Sequence, residues 1–264
     1  MTDTDLFQEL VKILERGESA ALATIIGGKG STPRKIGAKM LIRRDGTSYG
    51  TIGGGIVEAR VIQKAIECLK SRRSEILAFD LNAIKDPDSD LRCGGNMMVM
   101  LDSIIPQEPV IICGGGHVGF AIYSILSLLD FKITVVDDRR RYASPKRFPK
   151  AMRVICSPYT RAFEKMNVDE NTYIVICTRG HKNDEECLRL ALSSPSCYVG
   201  MLGSKTKAAG MKKKMRELGI PSRRIRELHA PIGIPIGAQS PEEIAVSIAA
   251  ELIQFRVTRT LQAF

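Results

Sequence analysis

Tryptophan is missing from these 264 residues, aromatic residues of all kinds make up 5%, and histidine occurs three times. Stacking platforms for single-stranded nucleic acid are therefore scarce, and no zinc-finger or RNA-binding signature accompanies the net charge of +10, so a nucleic-acid partner is not expected. Three histidines without paired ligand spacing also speak against a metal ion held directly by the chain. No uninterrupted apolar run reaches the length of a membrane span, and the acidic, polar start at residues 2–5 lacks the basic-then-apolar order of an export signal. Cys-x-x-Cys pairs are absent as well. Seven cysteines, an odd number, fit free thiols in a reducing compartment, so a cytoplasmic location without a membrane partner is expected. Tracts of Gln, Ser or Pro that would argue disorder are lacking too.

The most informative stretch is 110–119, where an apolar run enters Gly114-x-Gly116-x-x-Gly119 and then a helical pattern. Glycines at the first two positions allow a tight turn and close backbone approach to a phosphate, which exposed N–H groups at the helix start then meet; the third permits close helix–strand packing. A second apolar run, 133–136, delivers Asp137 21 residues after Gly116, where a ribose-binding acid belongs. The basic residues are spread along the chain apart from Arg139-Arg140-Arg141 and Lys212-Lys213-Lys214, which suits an anionic small ligand or an acidic protein partner.

Periodicity divides the chain in two. Leu6, Leu10, Ile13 and Leu14 recur at helical spacing, 20–26 and 39–43 read as strands, and Asp45-Gly46 turns into a strand at 49–52. Gly53-Gly54-Gly55 launches a helix with Val57, Val61, Ala65 and Leu69 on one face, and strands follow at 75–81 and 97–102. Two prolines bracket the linker 106–109. Beyond it strands (110–113, 133–137, 152–156, 172–177, 197–201) alternate with helices (117–129, 160–166, 183–193, 204–218). The expected architecture is α/β: a smaller α+β domain over 1–105, then a Rossmann-like doubly wound parallel sheet over 110–264. A final helix is announced by Ser240-Pro241-Glu242-Glu243, an N-cap hydroxyl with a capping-box glutamate. The helix from 118 to 129 is apolar almost all round, which suits burial or a homodimer contact.

Four further constellations are candidates for the site. In Gly30-Ser31-Thr32-Pro33-Arg34 two hydroxyls and a cation, with Lys35 next, match what an oxyanion needs. Thr178-Arg179-Gly180-His181 places His181 at the carboxyl edge of a strand, with Asp184 in reach as its orienter or as a helix cap. Gly203-Ser204-Lys205, within the stretch from Gly200 to Lys207, is another strand-to-helix turn with cations, Lys205 and Lys207, at an anion-friendly helix start. Cys93, in a polar loop between Arg92 and Gly94-Gly95, is the thiol best placed to react.

Taken in order, Gly30 to Arg34 with Gly37-Ala38-Lys39-Met40, Gly53-Gly54-Gly55-x-x-Glu58, Cys93-Gly94-Gly95, the glycine turn, Tyr198 to Ser204 and Ala230-Pro231-Ile232-Gly233 through Glu251 resemble the XdhC/CoxI family over nearly the whole chain. The resemblance implies an accessory factor of xanthine dehydrogenase and related molybdenum hydroxylases. Such a factor binds the molybdenum cofactor (molybdopterin), supports its sulfuration by a cysteine desulfurase and delivers it to the apo-enzyme, in purine catabolism for xanthine dehydrogenase. It acts as a chaperone more than as a catalyst. Gly114, Gly116 and Gly119 would then cradle phosphate, Ser31, Thr32 and Arg34 would close the anionic end from the other domain, and Cys93 would touch molybdenum or sulfur. Glu58 is expected as a hydrogen-bonding acid and His181 as a proton relay. This chain has Ile56 where members of the family often have cysteine after the three glycines. An NAD(P)-dependent oxidoreductase is the alternative from another class, with Arg139 or Arg140 available to a 2′-phosphate, although a Tyr-x-x-x-Lys pair is lacking.

Overall fold

A computed structural model describes residues 2–30, 34–81 and 95–261. The chain forms two compact units, Met1–Pro106 with Val257–Phe264, and Gln107–Arg256. The first unit runs α1 (Asp3–Glu15), β1 (Ala20–Gly30), β2 (Lys39–Arg43), β3 (Ser48–Gly50), α2 (Gly55–Ser71), β4 (Glu75–Asp80) and β5 (Gly95–Ile104). Its strands form an antiparallel sheet in the order β3-β2-β1-β5-β4. Thr2 starts α1 by accepting the Asp5 N–H while the Asp5 carboxylate accepts the Thr2 N–H, a reciprocal cap. Leu6, Leu10 and Ile13 then pack on Ala20 and Leu41. On the other sheet face Val57, Val61, Ala65 and Leu69 of α2 meet Ala21, Ala23, Ile25, Met40, Val99 and Leu101. The period-2 alternation of β1 thus feeds two cores. Strand β3 stops at Gly50, short of the 52 expected, because the chain turns there to bring Gly53 and Gly54 to α2.

The second unit runs β6 (Glu108–Cys113), α3 (His117–Leu126), β7 (Phe131–Asp137), β8 (Arg153–Cys156), α4 (Tyr159–Glu164), β9 (Tyr173–Ile176), α5 (His181–Leu192), β10 (Tyr198–Met201), α6 (Lys205–Glu217), α7 (Ser222–Arg226), β11 (Leu228–His229) and, through Arg256, α8 (Pro241–Leu261). All six strands are parallel, in the order β11-β10-β9-β6-β7-β8. Chain order reverses between β6 and β9, which opens the crevice where doubly wound folds bind ligands. Val110, Ile112, Val135, Tyr173 and Tyr198 face α3 and α8, while Ile111, Cys113, Val136, Ile174 and Met201 face the opposite layer of α4, α5, α6 and α7. Covered on both sides, these strands read as continuous apolar runs.

The differences from the sequence reading have local causes. Glu108 and Pro109, expected in a linker, open β6; Pro109 is tolerated because β9 pairs only from Val110 onward. Helix α3 ends at Leu126, and Leu128, 74% exposed, lies in the following turn. Helix α7 and strand β11, of five and two residues, are too short for periodicity to reveal. The start of α8 follows its sequence signature: Ser240 Oγ accepts the Glu243 N–H at 3.2 Å and Glu243 accepts the Ser240 N–H at 3.0 Å.

Ile248 of α8 is fully buried against the sheet, whereas Val246 is 47% exposed. Ile248→Ala is expected to cost about 2–5 kcal/mol and Val246→Ala within about 0.5 kcal/mol. Urea unfolding of the two variants checks this, and equal costs would refute the core assignment.

Candidate functional site

The turn between β6 and α3 is built by backbone touching backbone. Gly114 holds φ +116, and a Cβ there would lie 2.4 Å from the Cys177 carbonyl oxygen. A Cβ on Gly115 would stand 2.0 Å from the Tyr142 carbonyl oxygen, and one on Gly119 1.8 Å from that of Gly114. Gly116 is different. Its φ is −65, and a Cβ there meets nothing within 4 Å, so the turn opens outward at this residue alone among its four glycines. Gly116 is also the N-cap of α3, contributes no side chain to it, and no acidic residue sits in the helix's first turn. The uncapped positive end of α3 therefore faces the opening. Arg147 braces the turn from outside, donating to the Gly115 and Gly116 carbonyls at 3.2 and 3.4 Å with its guanidinium over the Phe120 ring.

Asp137 ends β7 beside this turn, as its spacing predicts, and its carboxylate is engaged by the turn itself. Its side chain is 0% exposed. One oxygen accepts the Gly115 N–H at 2.8 Å and an Arg139 Nη2–H at 2.9 Å; the other accepts the Arg139 backbone N–H at 3.0 Å and Nε–H at 2.9 Å. Burial alone would raise its pKa, yet these donors outweigh burial and hold the carboxyl below the usual range. Asp137 is thus the anchor of the glycine turn, and Arg139, stacked at 4.0 Å over Tyr142, is tied to it.

Across the crevice the loops after β9 and β10 are fastened together. Asp184, 1% exposed, accepts from the Thr178 hydroxyl at 2.6 Å and from Lys207 Nζ at 2.5 Å, and Lys207 also reaches the Leu202 carbonyl at 3.4 Å. Asp184 therefore neither orients His181 nor caps α5 from its N-cap, which is Gly180. His181 is exposed at the first position of α5. Gly203 lets the Lys207 stem pass, since a Cβ there would come within 2.8 Å of Lys207 Cδ. Ser204 caps α6 by accepting the Lys207 N–H, and Lys205 is exposed beside it. Lys207, one of the two cations expected at this helix start, has its ammonium group committed to Asp184. Below the crevice floor, burial pushes the Cys177 and Cys187 thiols well above their ordinary range, so neither is a ready thiolate.

In the first unit Glu58 reaches back to its own glycine loop. It accepts from the Thr51 hydroxyl at 2.5 Å and from the N–H groups of Ile52 and Gly54 at 2.9 and 3.1 Å. Burial works against its charge, but the hydroxyl and backbone donors prevail and lower its pKa. Glu58 is a positioning residue for that loop. Arg34 is exposed after β1; Ser31, Thr32 and Cys93 lie outside the described residues. A second acidic anchor went unread in the sequence: Glu251 on α8 holds His229 and the Gly233 N–H. Among the described residues no group of three His, Cys, Asp or Glu is placed to hold a metal ion, and no helix is long and apolar enough to cross a membrane.

Comparison with known proteins gives this arrangement relatives. The uncharacterized protein YqeB of Escherichia coli (strain K12) is 34% identical over 96% of this chain, which spans only 46% of that protein's length. A protein of Bacillus subtilis (strain 168) named as a probable xanthine dehydrogenase subunit is 23% identical over 92% of this chain and 95% of its own. The molybdenum cofactor insertion chaperone PaoD of Escherichia coli (strain K12) is 22% identical over 94% of this chain and 86% of its own. A crystal structure described as a xanthine dehydrogenase from Bacillus halodurans shares the fold, with a TM-score of 0.55 at 24% identity over 98% of this chain and 97% of that one. Residues 110–252 match the XdhC Rossmann domain, residues 13–80 match the XdhC and CoxI family, and the chain belongs to that family.

Proposed function

We propose that this protein binds the molybdenum cofactor through its phosphate and delivers it to a molybdenum hydroxylase of the xanthine dehydrogenase type. The observation that carries the reading is the glycine turn at the switch point, closed by backbone at Gly114, Gly115 and Gly119 and open only at Gly116, before an uncapped helix start. That cradle fits the phosphate or pyrophosphate of a molybdopterin and needs no hydride chemistry. The names of two relatives, a molybdenum cofactor insertion chaperone and a xanthine dehydrogenase subunit, support the same cargo and client.

Finer roles belong to the same proposal. Lys205, at the start of α6, adds positive charge along the same sheet edge. Ser31, Thr32 and Arg34 hold the anionic end of the cofactor, Cys93 contacts molybdenum or sulfur while a cysteine desulfurase supplies the sulfur, and His181 relays a proton. An NAD(P)-linked oxidoreductase has less support, because both oxygens of Asp137 are already engaged by Gly115 and Arg139 instead of being offered to a ribose.

Four variants test the reading. Gly116→Val is expected to keep the fold, losing at most about 1 kcal/mol at the N-cap, while weakening molybdopterin and pyrophosphate binding at least tenfold by calorimetry. Gly119→Ala, which drives a Cβ into backbone, is expected to destabilise by more than about 2 kcal/mol. Unchanged binding by the Gly116 variant, or NADPH turnover by the wild type, would overturn the proposal. Asp137 has a lowered pKa in the folded state, so its contribution is full above the unfolded value near about pH 4 and is lost as pH falls through the folded one. Asp137→Asn is accordingly less stable than wild type at pH 7, by a margin that shrinks below about pH 4; denaturant unfolding across that range would show a constant margin if the anchor were not ionic. Finally, Cys93→Ala is expected to lower activation of the client apo-enzyme, and full activation would remove the thiol from the scheme.

A further inference from the structure

At the outer end of the parallel sheet, β11 finishes on His229. Its ring stacks on Tyr198 of β10, with centroids 4.4 Å apart and planes 30° from parallel, and meets the Phe255 ring of α8 edge-on at 5.7 Å. Nδ1 lies 2.5 Å from Glu251 Oε1, while the other oxygen of Glu251 accepts the Gly233 N–H. Gly233 reaches this position with φ +104, and a Cβ there would stand 2.3 Å from Ser247 Oγ. Burial disfavours the Glu251 charge, but His229 and the Gly233 N–H more than compensate and lower its pKa. Glu251 is thus a carboxylate at neutral pH.

An anion at one imidazole nitrogen fixes the proton there and leaves the other as an acceptor. Here that acceptor is Nε2, on a side chain 33% exposed at the last residue of β11. The groups facing the imidazole are Glu251 and Phe255 from α8 and Tyr198 from β10. Strands β6, β9, β10 and β11 are successive neighbours, so His229 sits three strand spacings, about 14 Å, along the same edge from the glycine turn. The Ile232 N–H, bonded to the Met201 carbonyl at 3.1 Å, ties the segment after His229 to the loop that carries Gly203. A ligand held by phosphate at Gly116 and extended along the edge past β9 and β10 would need a reach of about 14 Å to meet His229.

We infer that His229 is a ligand-contacting proton acceptor, positioned by Glu251, that takes a hydrogen bond or a proton from a weakly acidic S–H or N–H group at the end of the ligand remote from its phosphate. In the transfer the X–H bond breaks, Nε2–H forms, the electron pair stays on X, and the imidazolium faces the Glu251 carboxylate. This rests on the cofactor-binding reading above.

The test uses the full chain with 15N-labelled histidine and molybdopterin released from a molybdoenzyme. Long-range 1H–15N spectra are expected to show His229 as the Nδ1–H tautomer at neutral pH, with its Nε2 resonance shifting when molybdopterin is added. Glu251→Gln should release the ring proton from Nδ1, so that the Nε2–H form appears in the same spectra, an effect that a packing role alone would not produce. His229→Asn keeps an N–H toward Glu251 and removes Nε2; it should weaken molybdopterin binding at least tenfold at an unaltered melting temperature. An Nε2–H tautomer, or wild-type affinity in His229→Asn, overturns the inference while leaving the cofactor reading standing. A wild type that binds no molybdopterin overturns both. If His229→Asn melts early, the wild-type tautomer and its change in Glu251→Gln decide.

Discussion

Where β6 meets α3, the carbonyl oxygen of Gly114 occupies the space that a side chain on residue 119 would need, and Cys177 does the same to residue 114. That mutual exclusion of side chains sets how closely α3 approaches the sheet, and it brings the loop after β9 against the loop after β6. The Cys177 thiol, donating to the Gly114 carbonyl at 3.4 Å, closes the same contact. Because the two loops touch, the helix start has a fixed direction, and the anion-binding character of α3 is a property of the packed fold, not of a mobile loop.

Buried acids do the fastening in a chain that is otherwise strongly basic. Glu58, Asp137 and Glu251 each turn a carboxylate toward one or more backbone N–H groups of a glycine-containing loop, and each keeps its charge against burial because of those donors. Asp184 does the equivalent with a hydroxyl and an ammonium group. A loop without side chains cannot hold itself by side-chain packing. An acid anchored in an adjoining helix or strand supplies the rigidity, and the loop's remaining backbone groups stay available for a ligand.

How much of this could be read in advance depended on where the information lay along the chain. The strand, turn and helix around Gly114 were legible because glycine spacing and apolar runs are local, and α2 and α8 because their faces and caps recur at helical intervals. Asp137 was legible as a position but not as an orientation: spacing puts it at the end of β7, yet only the packed turn shows its carboxylate facing the Gly115 N–H. His229 and Glu251 are 22 residues apart and meet only because α8 lies against β10 and β11. The two-residue length of β11 removed the one local clue. Lys207 was legible as a cation of its turn but not as a partner, since Asp184 sits one βα unit earlier.

Strand lengths across the parallel sheet have a consequence for the solution behaviour of so apolar a core. Interior strands that are hydrophobic on both faces are the kind of segment that templates β-pairing between molecules when left at an edge. Here the edges are β11, paired through two residues, and β8, paired through four and beginning on the exposed Arg153. The long apolar strands β6 and β7 are walled in between shorter neighbours, so the sheet offers another chain little unpaired backbone to extend, and resistance to aggregation is built into its outline.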